Sequence, residues 1–259
     1  MIAMFDSGLG GLSIWRAVQA TLPDWPITYL ADQAYCPYGG RSKAEIIERS
    51  LKVCRYLHSQ GASLLVVACN TATTAAVAAL RQHLPIPIVG VEPAIKPAAA
   101  ASRTGRIAVL ATQATLASER VQALLDKHAG EVEVLRRPGV GWVEQVEAGE
   151  LDSALTRARV AAVVQPLLQE NIDHIALGCT HYPFLSPLIR ELTGEQIALY
   201  DPAEAIARRV DSLLQQHGSD SIGDRFYRFI TTAPDTQPMA SMLPLLIGHG
   251  HAVESLNLE

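Results

Sequence analysis

LLVVACNTATT, residues 64–74, decides the fold. Leu64 to Val67 form a short unbroken apolar run, the pattern of a buried strand, and Thr71 onward reads as the start of a helix. A strand with no polar face that runs straight into a helix belongs to a parallel sheet with helices packed on its faces. Cys69 stands where the two elements meet.

Outward from this stretch the same alternation repeats. Short apolar runs occur at MIAMF (1–5), ITYLA (27–31), IPIVGV (86–91), RIAVLA (106–111), EVEVL (131–135), HIALG (174–178) and IALYD (197–201). Each is followed by turn residues and usually by helical periodicity. Between Ser42 and Gln60 the helix reads clearly, with Ser42 as cap, Ile47, Leu51, Cys54 and Leu57 on one face, and Gly61 as stop. After the polar HGSDSIGD (217–224), RFYRFITT (225–232) reads as one more strand and Met239 to Leu246 as a short helix.

The chain also echoes itself. IAMFDSGLGGLS from Ile2 matches IAVLATQATLAS from Ile107, placing Ser7 opposite Thr112. SLLVVACNT matches DHIALGCTH, placing Cys69 opposite Cys179. Two matches in the same order at nearly equal separation read as a duplication. The expected fold class is therefore α/β: two similar domains, each with a mostly parallel sheet flanked by helices, and an active site in the cleft between them. Ligands of open α/β sheets bind at the carboxyl ends of the strands. Junctions are expected near VEPAIKPAAAAS (91–102) and DPAEAIARRV (201–210), with the last segment returning to the first half. The expected domains are residues 1–94 plus 210–259, and residues 95–209.

The 259 residues are 49% hydrophobic and 18% charged, with a net charge of −5, an ordinary globular composition. There is no basic footprint for nucleic acid and no lysine-rich or long apolar stretch for a membrane, so neither is an expected partner. MIAMFDSGLGG lacks a basic region ahead of an apolar core; Met1 is expected to be a true start, and the expected location is cytoplasmic.

Cys36, Cys54, Cys69 and Cys179 show no C-x-x-C spacing and are expected as free thiols. Cys54 lies on an apolar helix face, and Cys36 sits in a loop without a counterpart in the repeat. A strand-end cysteine is by default a small buried residue. Cys69 and Cys179 differ in being a matched pair, each followed by polar residues that read as opening a helix, Asn70-Thr71 and Thr180-His181. Unpaired N–H groups at a helix start favour a thiolate and bind carboxylates. A hydrolase has no use for a twin nucleophile. A racemase needs an acid and a base on opposite faces of one carbon, and a thiol with a pKa near ~8.5 needs only modest lowering to exchange with its thiolate at neutral pH.

No cofactor is expected. DSGLGGLS has Ser13 where G-x-G-x-x-G ends in glycine, and it lacks the G-K-[ST] of a nucleotide loop. It reads as a tight turn whose N–H groups approach a small anion. None of Lys43, Lys52, Lys96 and Lys127 follows a buried strand, as a Schiff-base lysine would. Cys69, Cys179 and His181 match no usual ligand spacing, so no metal is expected.

FDSGLGGLS, ADQAYCPYGGRS, VVACNTATT, GVEPAIKPA, ATQAT and LGCTHYPFL occur in the order seen in glutamate racemases, and the chain resembles that family over essentially its whole length. CNTA paired with GCTHYP separates it from aspartate racemases, which carry an acidic residue after the second GCT. The resemblance implies cofactor-independent, two-base interconversion of L- and D-glutamate for bacterial peptidoglycan, with glutamate as small-molecule partner and a homodimer as assembly. It implies that Cys69 takes the α-proton from D-glutamate and Cys179 from L-glutamate. It further implies that Asp6, Ser7, Tyr38, Gly39, Asn70, Thr71, Thr180 and His181 hold the substrate, Asp6 and His181 also assisting proton transfer. Asp32, Thr112, Thr115 and Glu147 resemble supporting residues.

Plainer roles stand beside these. Asp6 reads also as a cap of its turn, Tyr38 as packing over the loop, His181 as the beginning of a helix, and Asp32 as a solvated carboxylate. A racemase of another acidic amino acid or a hydantoin is the neighbouring enzymatic reading, and an amino-acid-binding module the non-enzymatic one. One departure stands out: Arg137 precedes Pro138 where the family usually has cysteine, which leaves the shape of that loop open.

Overall fold

The computed structural model describes residues 1–217 and 225–258, so nearly all of the polar break read at 217–224 lies outside the described residues. The first elements are β1 (Ile2–Asp6), α1 (Leu12–Thr21), β2 (Ile27–Ala31), α2 (Lys43–Ser59), β3 (Leu64–Val67), α3 (Asn70–His83) and β4 (Ile88–Gly90). Next come α4 (Ile95–Ala101), β5 (Arg106–Ala111), α5 (Gln113–Leu116), α6 (Glu119–His128), β6 (Glu133–Pro138), α7 (Trp142–Glu147), α8 (Ala154–Leu167), β7 (His174–Gly178), α9 (Ser186–Thr193) and β8 (Ala198–Tyr200). The chain closes with α10 (Ala203–Gln216), β9 (Tyr227–Thr231), α11 (Gln237–Ile247) and β10 (Val253–Ser255).

Two compact units result, Met1–Val91 with Ala203–Glu259, and Glu92–Pro202. These divisions fall a few residues before the expected 94/95 and 209/210. The physical reason at the second is that α10 is one unbroken helix lying along α1, so all of it goes with the first unit.

In the first unit the strand order is β10-β9-β2-β1-β3-β4, and in the second β6-β5-β7-β8, with every described pairing parallel. The run β2-β1-β3-β4 thus recurs as β6-β5-β7-β8. Register agrees as well: Ile2 pairs with Leu64, and its counterpart Ile107 pairs with His174. The sequence echo is a repeat of topology. β9 and β10 are additions that extend the first sheet beyond β2.

Burial explains which runs became central. Every residue of β1, β3 and β7 is buried, whereas the outer strands β6 and β10 keep exposed positions. Ala3 and Phe5 of β1 join Leu65 and Val67 of β3 in a core roofed by α2 and α3. Ile2 and Met4, equally buried, point to the opposite face. On that face Trp15 of α1 lies against Phe229 of β9, ring centroids 5.3 Å apart. In the second unit, Ile107, Val109 and Ala111 pack under α4 and α6. Among the described residues no helix is long and apolar enough to cross a membrane.

α2 begins with a capping box: Ser42 Oγ accepts from the Glu45 amide, and Glu45 Oε2 accepts from the Ser42 amide. Its buried face is Ile46, Arg49, Ser50, Val53, Cys54 and Leu57. Ile47 and Leu51 therefore sit half-buried at the margin of the face they were expected to centre. Two polar residues in the middle of the stripe, Arg49 and Ser50, shift it from what apolar spacing alone predicts.

The turn after β1 approaches β3 closely. A Cβ on Gly11 would lie 2.8 Å from Asp6 Cβ and 2.9 Å from both Ala68 Cβ and Tyr29 Oη. Gly11→Ala is expected to destabilise the fold by about 1–3 kcal/mol through overpacking. Gly40→Ala, with nothing within 4 Å of the new atom, should change stability by less than about 0.5 kcal/mol. Chemical denaturation of both variants measures the contrast.

Candidate active site

In a parallel sheet, loops diverge where the chain turns to one side after one strand and to the other side after its neighbour; the crevice between them receives ligands. β1 leads to β2 on one side while β3 leads to β4 on the other, and β5 and β7 stand in the same relation. Asp6 ends β1, and Ser7 leaves it. Cys69, Asn70 and Thr71 leave β3. In the second unit Thr112 leaves β5, and Cys179, Thr180 and His181 leave β7.

Cys69 is the N-cap of α3, only 6% exposed, and its Sγ accepts from the Ala72 amide at 3.4 Å. The helix start is fixed by Thr73, whose hydroxyl donates to Val67 O and accepts from Val91 N, both at 3.1 Å. Ser7 Oγ lies 3.5 Å from the sulfur and donates to Asp6 Oδ1. Asp6, fully buried, also accepts from the Gly8 amide at 2.8 Å. It therefore both shapes the turn and orients the hydroxyl beside the thiol. Asn70 is buried as well. Its Nδ2 donates to Val91 O, and its Oδ1 has no hydrogen-bond partner among the described residues.

Tyr38 and Gly39 lie in a single 3₁₀ turn, Tyr38–Gly40, that packs against α3. The Tyr38 hydroxyl donates to Asp32 Oδ2 at 2.5 Å. Asp32 is not the solvated loop carboxylate that was one reading of it. It is completely buried, gripped by Arg49 through Nε and Nη2 and bonded by the Thr232 hydroxyl at 2.8 Å. Burial, together with the Asp32 carboxylate, pushes the Tyr38 phenol far above its ordinary range, so it remains a donor.

The second thiol has a different setting. Thr180 and His181 do not open an α-helix, contrary to expectation; a 3₁₀ segment, Tyr182–Leu185, intervenes before α9. Pro183 has no N–H to bond back to Cys179 O, so the backbone closes shorter i→i−3 bonds, Tyr182 to Cys179 O and Phe184 to His181 O. In place of a helix start, Cys179 Sγ has His181 Nδ1 at 3.8 Å, and His181 Nε2 meets Glu147 Oε1 at 2.6 Å. Burial disfavours the imidazolium, but bonds to the Cys179 sulfur and the Glu147 carboxylate outweigh it, and His181 is held well above its usual pKa. Glu147 reaches this position as the last residue of α7.

Trp142, the first residue of α7, packs on Tyr182 with ring centroids 4.7 Å apart. Tyr182 donates to Gly139 O, where a Cβ would lie 2.6 Å from the phenol oxygen. These residues set the loop after Arg137, whose own guanidinium turns to Glu170 at 4.0 Å. Thr112 caps α5, accepting from the Thr115 amide and donating to the Thr115 hydroxyl. Thr180 is buried directly after Cys179. Among the described residues, no group of three or more His, Cys, Asp and Glu side chains is placed to hold a metal ion.

Sequence reading missed Arg49, Thr232 and the Trp142–Tyr182 pair. For Arg49 a signal existed, a cation one helical turn from both Ile46 and Val53 on a buried face. For Thr232 there was none, since it meets Asp32 across 200 residues of chain.

Two repeated parallel α/β sheets with polar residues at equivalent strand ends are the architecture shared with amino-acid racemases. The description Asp/Glu/Hydantoin racemase fits residues 12–210, and the chain belongs to that family. It is 46% identical over 248 residues to the glutamate racemase of Ectopseudomonas mendocina, covering 95% of this chain and 94% of that relative. In three dimensions it is similar to Escherichia coli glutamate racemase in complex with L-glutamate and the activator UDP-MurNAc-ala. The TM-score is 0.88 at 30% identity, over 99% of this chain and 98% of that one. It is also similar to the Francisella tularensis glutamate racemase in complex with D-glutamate, with TM-score 0.86 at 25% identity, over 100% and 97% of the chains.

A raised folded-state pKa at His181 means that its protonation stabilises the fold. That contribution is fully present below the unfolded value near ~6.5 and declines as pH rises from there through the higher folded value. His181→Gln is expected to lose it, so the stability gap between parent and variant should narrow as pH rises above the ordinary imidazole range. Denaturation series at constant salt measure that gap.

Proposed function

We propose that the protein interconverts L- and D-glutamate without a cofactor, supplying D-glutamate for peptidoglycan, with Cys69 and Cys179 as the two bases. The observation that carries this reading is the matched pair of buried thiols, one backed by Ser7 and Asp6, the other by His181 and Glu147. Support for the substrate comes from relatives that are glutamate racemases, two of them solved with L- or D-glutamate bound.

In the forward step one thiolate takes the α-proton: the Cα–H bond breaks, an S–H bond forms, and the electron pair passes into the α-carboxylate as an enolate-like transition state. The opposite thiol then gives its proton to the other face of Cα, becoming the new thiolate. The reaction requires both sulfurs to reach one carbon from opposite sides. Cys69 is assigned D-glutamate and Cys179 L-glutamate. Amide groups at the start of α3 and the hydroxyls of Ser7, Thr71 and Thr180 suit the α-carboxylate and its developing charge. Asn70 Oδ1, a buried acceptor without a hydrogen-bond partner among the described residues, suits the α-ammonium. Tyr38 and Gly39 complete the substrate's surroundings, and Asp32, Thr112, Thr115 and Glu147 support them. His181, bonded to Glu147 on its far side, sets its ring nitrogen beside the Cys179 sulfur. A homodimer is part of the same reading.

In heavy water, each enantiomer is expected to yield product carrying deuterium at Cα. Cys69→Ala or Cys179→Ala should abolish racemisation, read by circular dichroism of the substrate solution; full turnover by either variant would refute the assignment. Turnover of aspartate or a hydantoin in preference to glutamate would instead favour the neighbouring reading.

A further inference from the structure

Arg49 is a charged residue on the buried face of α2, 5% exposed, at a place where packing alone would take a leucine or methionine. A buried ion pair is weak support for stability, so its persistence here calls for a geometric reason. The guanidinium supplies one. Nε and Nη2 engage both oxygens of Asp32 at 2.8–3.1 Å, which fixes the plane of the carboxylate. That plane determines where Oδ2 receives the Tyr38 hydroxyl. The flat face of the same guanidinium lies over the Tyr35 ring, 4.1 Å from its centroid. Its third donor, Nη1, goes to Leu258 O in the segment after β10.

The loop from Asp32 to Gly40 holds two 3₁₀ turns and no strand or α-helix. Arg49 touches it at Asp32 and Tyr35 directly, and at Tyr38 through Asp32. We infer that Arg49 is a positioning residue for substrate binding, holding the Tyr38-Gly39 turn through the Asp32 carboxylate and the Tyr35 ring, with the Leu258 carbonyl as its outer brace. This rests on the glutamate reading above, in which Tyr38 and Gly39 contact the substrate. Lysine cannot replace it fully, because an ammonium lacks the fork that spans both carboxylate oxygens.

The test is the steady-state racemisation of glutamate by the full chain carrying Arg49→Met, Arg49→Lys, Tyr38→Phe, and Arg49→Met with Tyr38→Phe. Arg49→Met is expected to raise KM about tenfold or more while kcat stays within about threefold, the pattern of lost uniform binding. Arg49→Lys should recover part of the KM loss. In the Tyr38→Phe background, Arg49→Met should add less than about twofold to KM, because both act through one unit. A purely structural role would lower the folded fraction and hence apparent kcat, leaving KM unchanged; that result overturns the inference, as does full additivity with Tyr38→Phe. Absence of racemisation by the unmodified chain would instead defeat the glutamate reading, and this inference with it.

Discussion

A parallel strand covered on both faces has only its ends to offer to solvent, and everything functional in this chain follows from that constraint. The four central strands β1, β3, β5 and β7 spend their side chains on burial. Polar chemistry is therefore displaced to the first few residues after each strand, and neighbouring strands whose connections part in opposite directions leave a crevice there. Asp6-Ser7, Cys69-Asn70-Thr71, Thr112 and Cys179-Thr180-His181 all occupy such positions.

The two units surround their strand-end thiols by different means. Around Cys69 the partners include a serine hydroxyl steered by a buried aspartate, and an amide at the start of a true helix. Around Cys179 a proline has removed the helix start, and a histidine ring bonded to a glutamate takes its place. Duplication preserved strand order and register but not the devices attached to them. That division is physically reasonable, since register is enforced by every pair in the sheet, whereas a loop answers only to its own few contacts.

Legibility in the sequence followed the same division. Central strands declared themselves as unbroken apolar runs, and β2, β5 and β7 have the bounds that those runs mark. β10, with three residues and two of them exposed, left no pattern to read. Cys69 and Cys179 stood out because the repeat singled them out from Cys36 and Cys54. Asp32 was legible as a polar residue near the site but not as a buried one, because its burial depends on Arg49 and Thr232, brought to it by tertiary packing. The mistaken helix at Thr180 came from judging residues 180 and 181 without weighing the missing amide of Pro183, three positions after Thr180. His181 with Glu147 lies beyond any local pattern, since two separate elements of the second unit supply the partners.

The first sheet is completed by β9, which arrives only after the whole second unit has passed. During synthesis on the ribosome β2 is consequently left as a raw sheet margin on the side away from β1, while Glu92–Pro202 is contiguous in sequence and emerges whole before β9. Thr232, one of the groups that satisfies Asp32, emerges later still. The loop that bears Tyr38 thus reaches its mature form among the last parts of the molecule, and a nascent chain halted before residue 227 would carry both sulfurs while Asp32 still lacked the Thr232 hydroxyl.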